Sequence, residues 1–193
     1  ATFAQALIGA CPDVHLELAA VSAYGELEDV LQDMASEPER PDVVVMGGRT
    51  TTKLERTLLG SNTASVIRHT GLPVLTVPAG TAYRAPARIV LADDGGPVER
   101  DAVKLLVDIA RWSRSEVKIV HVVPADRLDE EGVEGSGYDQ LLGAIPRSYH
   151  TVSGDNTLLV LSELADQSDA DLVVVMHRQR GLLDQLFHHS VAT

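Results

Sequence analysis

Laid on itself with Gly25 over Gly154, an offset of 129 residues, the chain repeats. Asp42 then falls on Asp171, Arg49 on Arg178, Leu54 on Leu183 and Ser61 on Ser190, without a gap. Both copies run glycine, apolar helix pattern, aspartate, apolar strand, basic polar loop, leucine, serine. Sliding the strands by one residue sets Val43-Val44-Val45-Met46 on Val173-Val174-Val175-Met176, so the strand register is open by one. Self-similarity at a fixed offset marks a repeated architecture. It divides the chain into units 1–82 and 83–193, joined through Ala79 to Pro86 (AGTAYRAP), a stretch rich in Gly, Pro and Ala.

The pattern inside each unit sets the fold class. Asp42–Met46, Pro73–Val77, Arg88–Ala92, Val117–Val123 and Asp171–Met176 are short, β-branched and non-alternating, as parallel strands buried on both faces are. His15–Ala20 and Ser148–Val152 alternate more and suit sheet edges. Between them lie helical stripes: Leu27, Val30, Leu31, Met34 and Ala35, then Val98, Ala102, Leu105, Leu106 and Ile109. Alternating strands and helices predict an α/β fold, with parallel sheets covered by helices. The sequence opens without Met and inside a helical pattern, and it stops just after a helix start. The first unit is therefore expected to lack its opening β–α–β segment, and the second its last strand.

Composition narrows the function. Sixteen basic against 28 acidic residues give a net charge of -12, and no local basic patch interrupts it. That balance repels nucleic acid and anionic membranes. The apolar runs fall far short of the ~20 residues a membrane span needs, and no signal peptide is evident. One cysteine, Cys11, excludes an internal disulfide framework and fits a reducing compartment. A cytoplasmic protein is expected.

One loop stands out, in VVVMGGRTTTKLERTLLGSNTA from Val43 to Ala64. Gly47 and Gly48 are expected to end a strand in a sharp turn open to a ligand, since neither carries a Cβ. Ser61 or Asn62 can cap a helix through Val66, Ile67 and His69, which Gly71 and Pro73 close. A helix start offers unpaired N–H groups and the positive end of the helix dipole to phosphate, and Gly60 would allow close approach. The common phosphate motifs are absent: Thr52 precedes Lys53 where a Walker A loop needs glycine, and the GxGxxG spacing is missing. A tight β–α connection with an ordinary cap accounts for the same residues.

These residues resemble the universal stress protein (UspA-like) family, whose nucleotide-binding members carry G-x2-G-x9-G-[ST] after the fourth strand. Gly47 fits the first position, and nine residues, Thr51 to Leu59, separate Thr50 from Gly60-Ser61. DVVVMGG, LLGSNTASVIRHTGLPVLTVP, RIVLADDGG and KIVHVV extend the resemblance over nearly the whole chain as two tandem, Rossmann-like domains of the adenine nucleotide alpha hydrolase type. The resemblance implies a five-stranded parallel sheet in each domain. It also implies pairing through the last strand, here Pro73–Val77, as a homodimer or an intramolecular pseudo-dimer.

For function, the resemblance implies adenine nucleotide (ATP) binding in the first unit through Met46, Gly47, Thr50, Gly60, Ser61 and Asn62. Thr50 stands where the family has its middle glycine; its Cβ crowds the phosphates, while its hydroxyl offers a donor. In the second unit Asp94 occupies the family's strand-one acid position, and His121-Val122 matches the second strand. The second loop has decayed: on the 129 offset Gly47 becomes Met176, Thr50 becomes Gln179 and Gly60 becomes His189. That unit is expected to be structural or regulatory.

Other residues give blander readings. His177, His188 and His189 lack ligand spacing and accompanying Cys or carboxylates, so no metal is expected. His121 reads as a hydrogen-bonded core residue, Cys11 as packing, and Arg127–Asp139 as a solvated acidic loop leading to a short helix. Arg49 and Lys53 either screen phosphate or form a solvated rim. The sequence thus points to a non-catalytic, nucleotide-responsive stress protein. The alternative is an interaction module that has lost its ligand and acts through protein partners. A slow nucleotide hydrolase is a third reading, for which no general base or metal ligand is evident.

Overall fold

Among the described residues two parallel sheets form, one of two strands and one of four. The computed structural model describes residues 15, 17–48, 61–93, 95–98, 100–123, 137–154 and 157–176.

In the first unit, α1 (Leu27–Ser36) precedes β1 (Val44–Gly48), and α2 (Ser61–Thr70) connects it to β2 (Val74–Pro78). β1 and β2 pair in parallel from Val44↔Val74 to Gly48↔Pro78. The predicted apolar stripe of α1 is half-buried at Val30, Leu31, Met34 and Ala35, whereas Leu27 is exposed. This helix packs on α2, and the Ser65 hydroxyl donates to Glu28 at 2.8 Å. Val66 and Thr70 of α2 are buried, and the helix ends where Gly71 takes φ +62°.

In the second unit the order is β3 (Arg88–Asp93), α3 (Arg100–Ser113), β4 (Glu116–Val123), α4 (Tyr138–Leu142), β5 (Arg147–Ser153), α5 (Thr157–Gln167) and β6 (Leu172–Val175). The strands lie β5-β4-β3-β6, all parallel. Side chains alternate between faces along a strand, and β3 buries both sets. Ile89 and Leu91 join Val117 and Ile119 under Val103, Leu106, Val107 and Ala110 of α3. Val90 and Ala92 join Val120 under Leu161 of α5. Non-alternating apolar strands form here because helices cover both faces.

One carboxylate fastens the linker to this sheet. Asp171, its side chain 4% exposed, accepts from the backbone N–H of Ala87 (2.9 Å) and Arg88 (3.0 Å) and from the Arg84 guanidinium (2.5 Å).

Three expectations need correction. His15 and residues 17–20 are exposed and form no strand, because no strand among the described residues lies beside them to share hydrogen bonds. The buried stripe of α3 is Val103, Leu106, Val107 and Ala110; Leu105 and Ile109 flank it half-buried, Ala102 is exposed, and Val98 precedes the helix. The helix has apolar residues on two adjoining stripes, and the one through Val103, Leu106, Val107 and Ala110 packs on the sheet. Finally, β1 does not turn at Gly47-Gly48. Pairing with β2 carries it through both glycines, and the Ala79 N–H bonds the Gly48 carbonyl at 3.3 Å.

The repeat glycines differ in their reasons. Gly25 holds φ +137°, a conformation an L side chain resists, whereas a Cβ on Gly154 would run into the Val160 side chain. Among the described residues, no helix is long and apolar enough to cross a membrane.

Candidate functional site

Parallel strands joined by a helix force that helix to run back against them. The start of α2 therefore lies at the carboxyl end of β1, where open α/β sheets bind ligands. This brings Ser61 and Asn62, in the first turn of α2, to the same end as Met46 and Gly47 of β1. Thr50 and Gly60 lie outside the described residues.

Met46 is half-buried and Gly47 exposed. A Cβ on Gly47 would meet nothing within 4 Å, so the backbone there borders open space. The first turn of α2 carries no acid, while Arg68 and His69 occupy its last turn. That charge order leaves the positive end of the helix dipole available to an anion and complements the negative end. The His69 ring lies 2.8 Å from the Ser65 carbonyl through Nδ1.

The second unit treats the same end of its sheet differently. Chain order runs β3, β4, β5 in one direction and returns with β6 on the far side of β3, so the reversal lies between β3 and β6. Asp93 ends β3 there and is 1% exposed. Its carboxylate accepts from the Tyr138 hydroxyl at 2.9 Å and from the Gly95 N–H at 3.0 Å. The His121 Nδ1 sits 3.1 Å from the Asp93 carbonyl and 3.8 Å from its carboxylate. Burial, and then the charge of Asp93, push the Tyr138 phenol far above its ordinary range and keep it a donor. Met176, the repeat counterpart of exposed Gly47, is buried in the same core cluster as Tyr138.

His121 is hydrogen-bonded, as the sequence led one to expect, but half-buried rather than part of the core, and sequence reasoning missed Asp93 and Tyr138. Asp94, the family acid position, lies outside the described residues. The signal for Asp93 was parity: it shares a strand face with Ile89 and Leu91. Tyr138 corrects the loop reading of Arg127–Asp139, because it belongs to α4 and is 0% exposed, while residues 127–136 lie outside the described ones. The neighbouring Asp139 turns to β5, accepting from Arg147 Nε at 2.6 Å and the Tyr149 hydroxyl at 2.8 Å. The Tyr149 bond, then the Arg147 bond, holds the Asp139 carboxyl below the usual range.

Cys11, Arg49, Lys53, His177, His188 and His189 lie outside the described residues. Among the described residues, no group of three or more His, Cys, Asp or Glu is placed to hold a metal ion.

Comparison with known proteins places these features. The universal stress protein family matches residues 8–78. Universal stress protein G of Salmonella typhimurium is 46% identical over 54 residues, 28% of this chain and 37% of that protein. Sensor protein KdpD of Mycobacterium tuberculosis is 29% identical over 110 residues, 56% of this chain and 13% of that protein. The matches thus span well under half the length of these relatives. A universal stress protein crystal structure from Archaeoglobus fulgidus DSM 4304 aligns over 76% of this chain and 54% of its own, with TM-score 0.50 and 19% identity, which speaks to the fold alone. Over residues 8–78, less than half of its length, the chain is similar to the universal stress protein family.

Proposed function

We propose that the first unit binds an adenine nucleotide, ATP by class, at the carboxyl end of β1, and that the protein is a non-catalytic, nucleotide-responsive stress regulator. Met46 and Gly47 would border the ribose and phosphates. Gly60, Ser61 and Asn62 would receive the phosphates at the start of α2, with Thr50 contributing a hydroxyl from the intervening loop. The observation that carries this reading is the open space beside Gly47 at the end where α2 begins without an acid. Nucleotide held only by the folded state stabilises it by mass action and biases association. The tandem arrangement, with units 1–82 and 83–193 pairing as a pseudo-dimer or between copies, belongs to the same proposal.

The test is to denature the purified protein and identify released nucleotide by mass spectrometry, with Gly60→Val alongside. About one nucleotide per chain, absent from the variant, is the expected result, since valine blocks the backbone approach. No nucleotide, and no thermal shift with millimolar ATP, would overturn it. One observation favours the second reading, an interaction module working through protein partners: Val45 and Val77 share a face of the first sheet and are 61% and 38% exposed.

A further inference from the structure

Each unit leaves an apolar surface bare, and the two surfaces lie at opposite ends of one short connection. In the first sheet Val45 pairs with Leu75 and Gly47 with Val77, so these four share a face. Val45 and Val77 are exposed on it, while the opposite set, Val44, Met46, Val74 and Thr76, is half-buried. In the second unit Leu105, Ile109 and Trp112 follow at helical spacing along α3, on the stripe beside the one that packs on the sheet. Trp112, the single tryptophan of the chain, is 68% exposed. Arg111 and Arg114 stand exposed beside it, and residues 1–82 carry 10 acidic against 5 basic residues, so the two surfaces complement each other in charge. Asp108 and Glu116 are exposed at the same corner and dilute its positive charge, which leaves the apolar contact to hold what charge steers together.

The connection is fastened at both ends. Ala79 and Thr81 turn back on β2, their N–H groups donating to the carbonyls of Gly48 and Pro78 at 3.3 and 3.2 Å. Asp171 holds Arg84, Ala87 and Arg88, and the Ser115 hydroxyl, three residues beyond Trp112, donates to the Pro86 carbonyl. Ala82 and Tyr83, both exposed, are left between the two fastenings. From Thr81 to Arg84 the chain spans at most about 11 Å. A tether this short holds the surfaces at an effective concentration on the order of millimolar, so a contact too weak to pair free copies still forms within the chain. We propose that the two units close on each other about Ala82-Tyr83, the Val45–Val77 face of the first sheet seating on the Trp112 stripe of α3. Tryptophan and arginine are the residues that most often anchor such contacts. The closure rests on the tandem reading proposed above and gives the pairing of the units its surfaces. Gly47 lies on the same face, so a nucleotide beside it and the closed state exclude each other, and each weakens the other.

Trp112 reports the closure by itself, because no other tryptophan contributes to the emission. In the purified whole protein, acrylamide quenching of Trp112 should be largely lost and its emission shifted to the blue, relative to the denatured chain. Val45→Lys combined with Val77→Lys alters two exposed positions and leaves the fold standing. That variant should regain quenching and emit further to the red. Wild-type quenching as strong as in the denatured chain would overturn the closure without any variant, as would protection that the two lysines leave unchanged. Protection that persists on dilution supports closure within the chain, whereas protection lost on dilution would set the face against a second copy and overturn it. Millimolar ATP should uncover Trp112. A Trp112 that is protected and freed by the lysines, yet unmoved by ATP, would sustain the closure and count against nucleotide in the first unit, whose release on denaturation is measured separately.

Discussion

The two sheets bury their strands unequally. β3 buries five of its six residues, while β1 alternates half-buried and exposed with none fully buried. Neighbours explain the contrast. β3 is paired on both edges and β1, among the described residues, on one. The rule holds within the second unit too. β6, the counterpart of β1, has a single neighbour among the described residues and leaves Val173 42% exposed, whereas β4, paired on both sides, buries Val117, Ile119 and Val120 completely. Helices packed over the middle of a sheet seal central strands and only graze the edge ones. The aspartates of the repeat follow suit: Asp171 is enclosed by the linker, and Asp42 is exposed.

The comparison breaks most decisively at Leu91. Leu91→Ala should cost about 2–5 kcal/mol by chemical denaturation, because the side chain is 0% exposed between β3 and α3. Val45→Ser in the first sheet should stay within about 0.5 kcal/mol. Similar losses at the two sites would refute the neighbour rule. The aspartates come next: Asp171→Ala strands two backbone N–H groups and should cost about 1–3 kcal/mol, against under about 0.5 for Asp42→Ala.

Acid sharpens the contrast further. The folded Asp139 carboxyl is held low, by Tyr149 first and Arg147 second. Its stabilisation is therefore present above the ordinary carboxylate range and is lost as pH falls through the lower folded value. Glu28 in the first unit is also held low, by its own backbone N–H and then by Ser65. Thermal melts taken from about pH 5 to pH 2 should show a shallower acid limb for Asp139→Asn and Glu28→Gln. The smallest effect is expected at Gly47. Gly47→Ala meets no neighbour and should leave melting within about 0.5 kcal/mol of wild type. Any stabilisation by added ATP should fall, because the new methyl enters the space assigned to ligand.

Much of this architecture was legible in the residues. Six strands match the sequence expectation to within two residues at either end, five from short apolar runs and one, Ser148–Val152, from an alternating stretch. His15–Ala20 misled because a strand is a property of two chain segments, and periodicity describes one. α3 misled because apolar residues lie on two adjoining stripes and only packing selects between them. Met46, Gly47, Ser61 and Asn62 lie toward the same end of a β–α–β unit, as topology requires of a strand end and the helix that follows it. The pairing of Asp93 with Tyr138 was not readable, since 45 positions separate them and an acidic stretch precedes the tyrosine. Pattern carries the elements, but a buried hydrogen bond between distant residues leaves no period.

Asp171 has a consequence for synthesis. It lies just before β6 and clamps the residues that open β3, 84 positions earlier in the chain. A ribosome adding about 5–20 residues per second needs roughly 4 to 17 seconds to cover that distance. β4 emerges within that interval, and from then until β6 appears β3 is paired on one side and bare on the other. The four-stranded sheet closes only when its last strand emerges, so the bare flank of β3 is the stretch a chaperone would most usefully cover during translation.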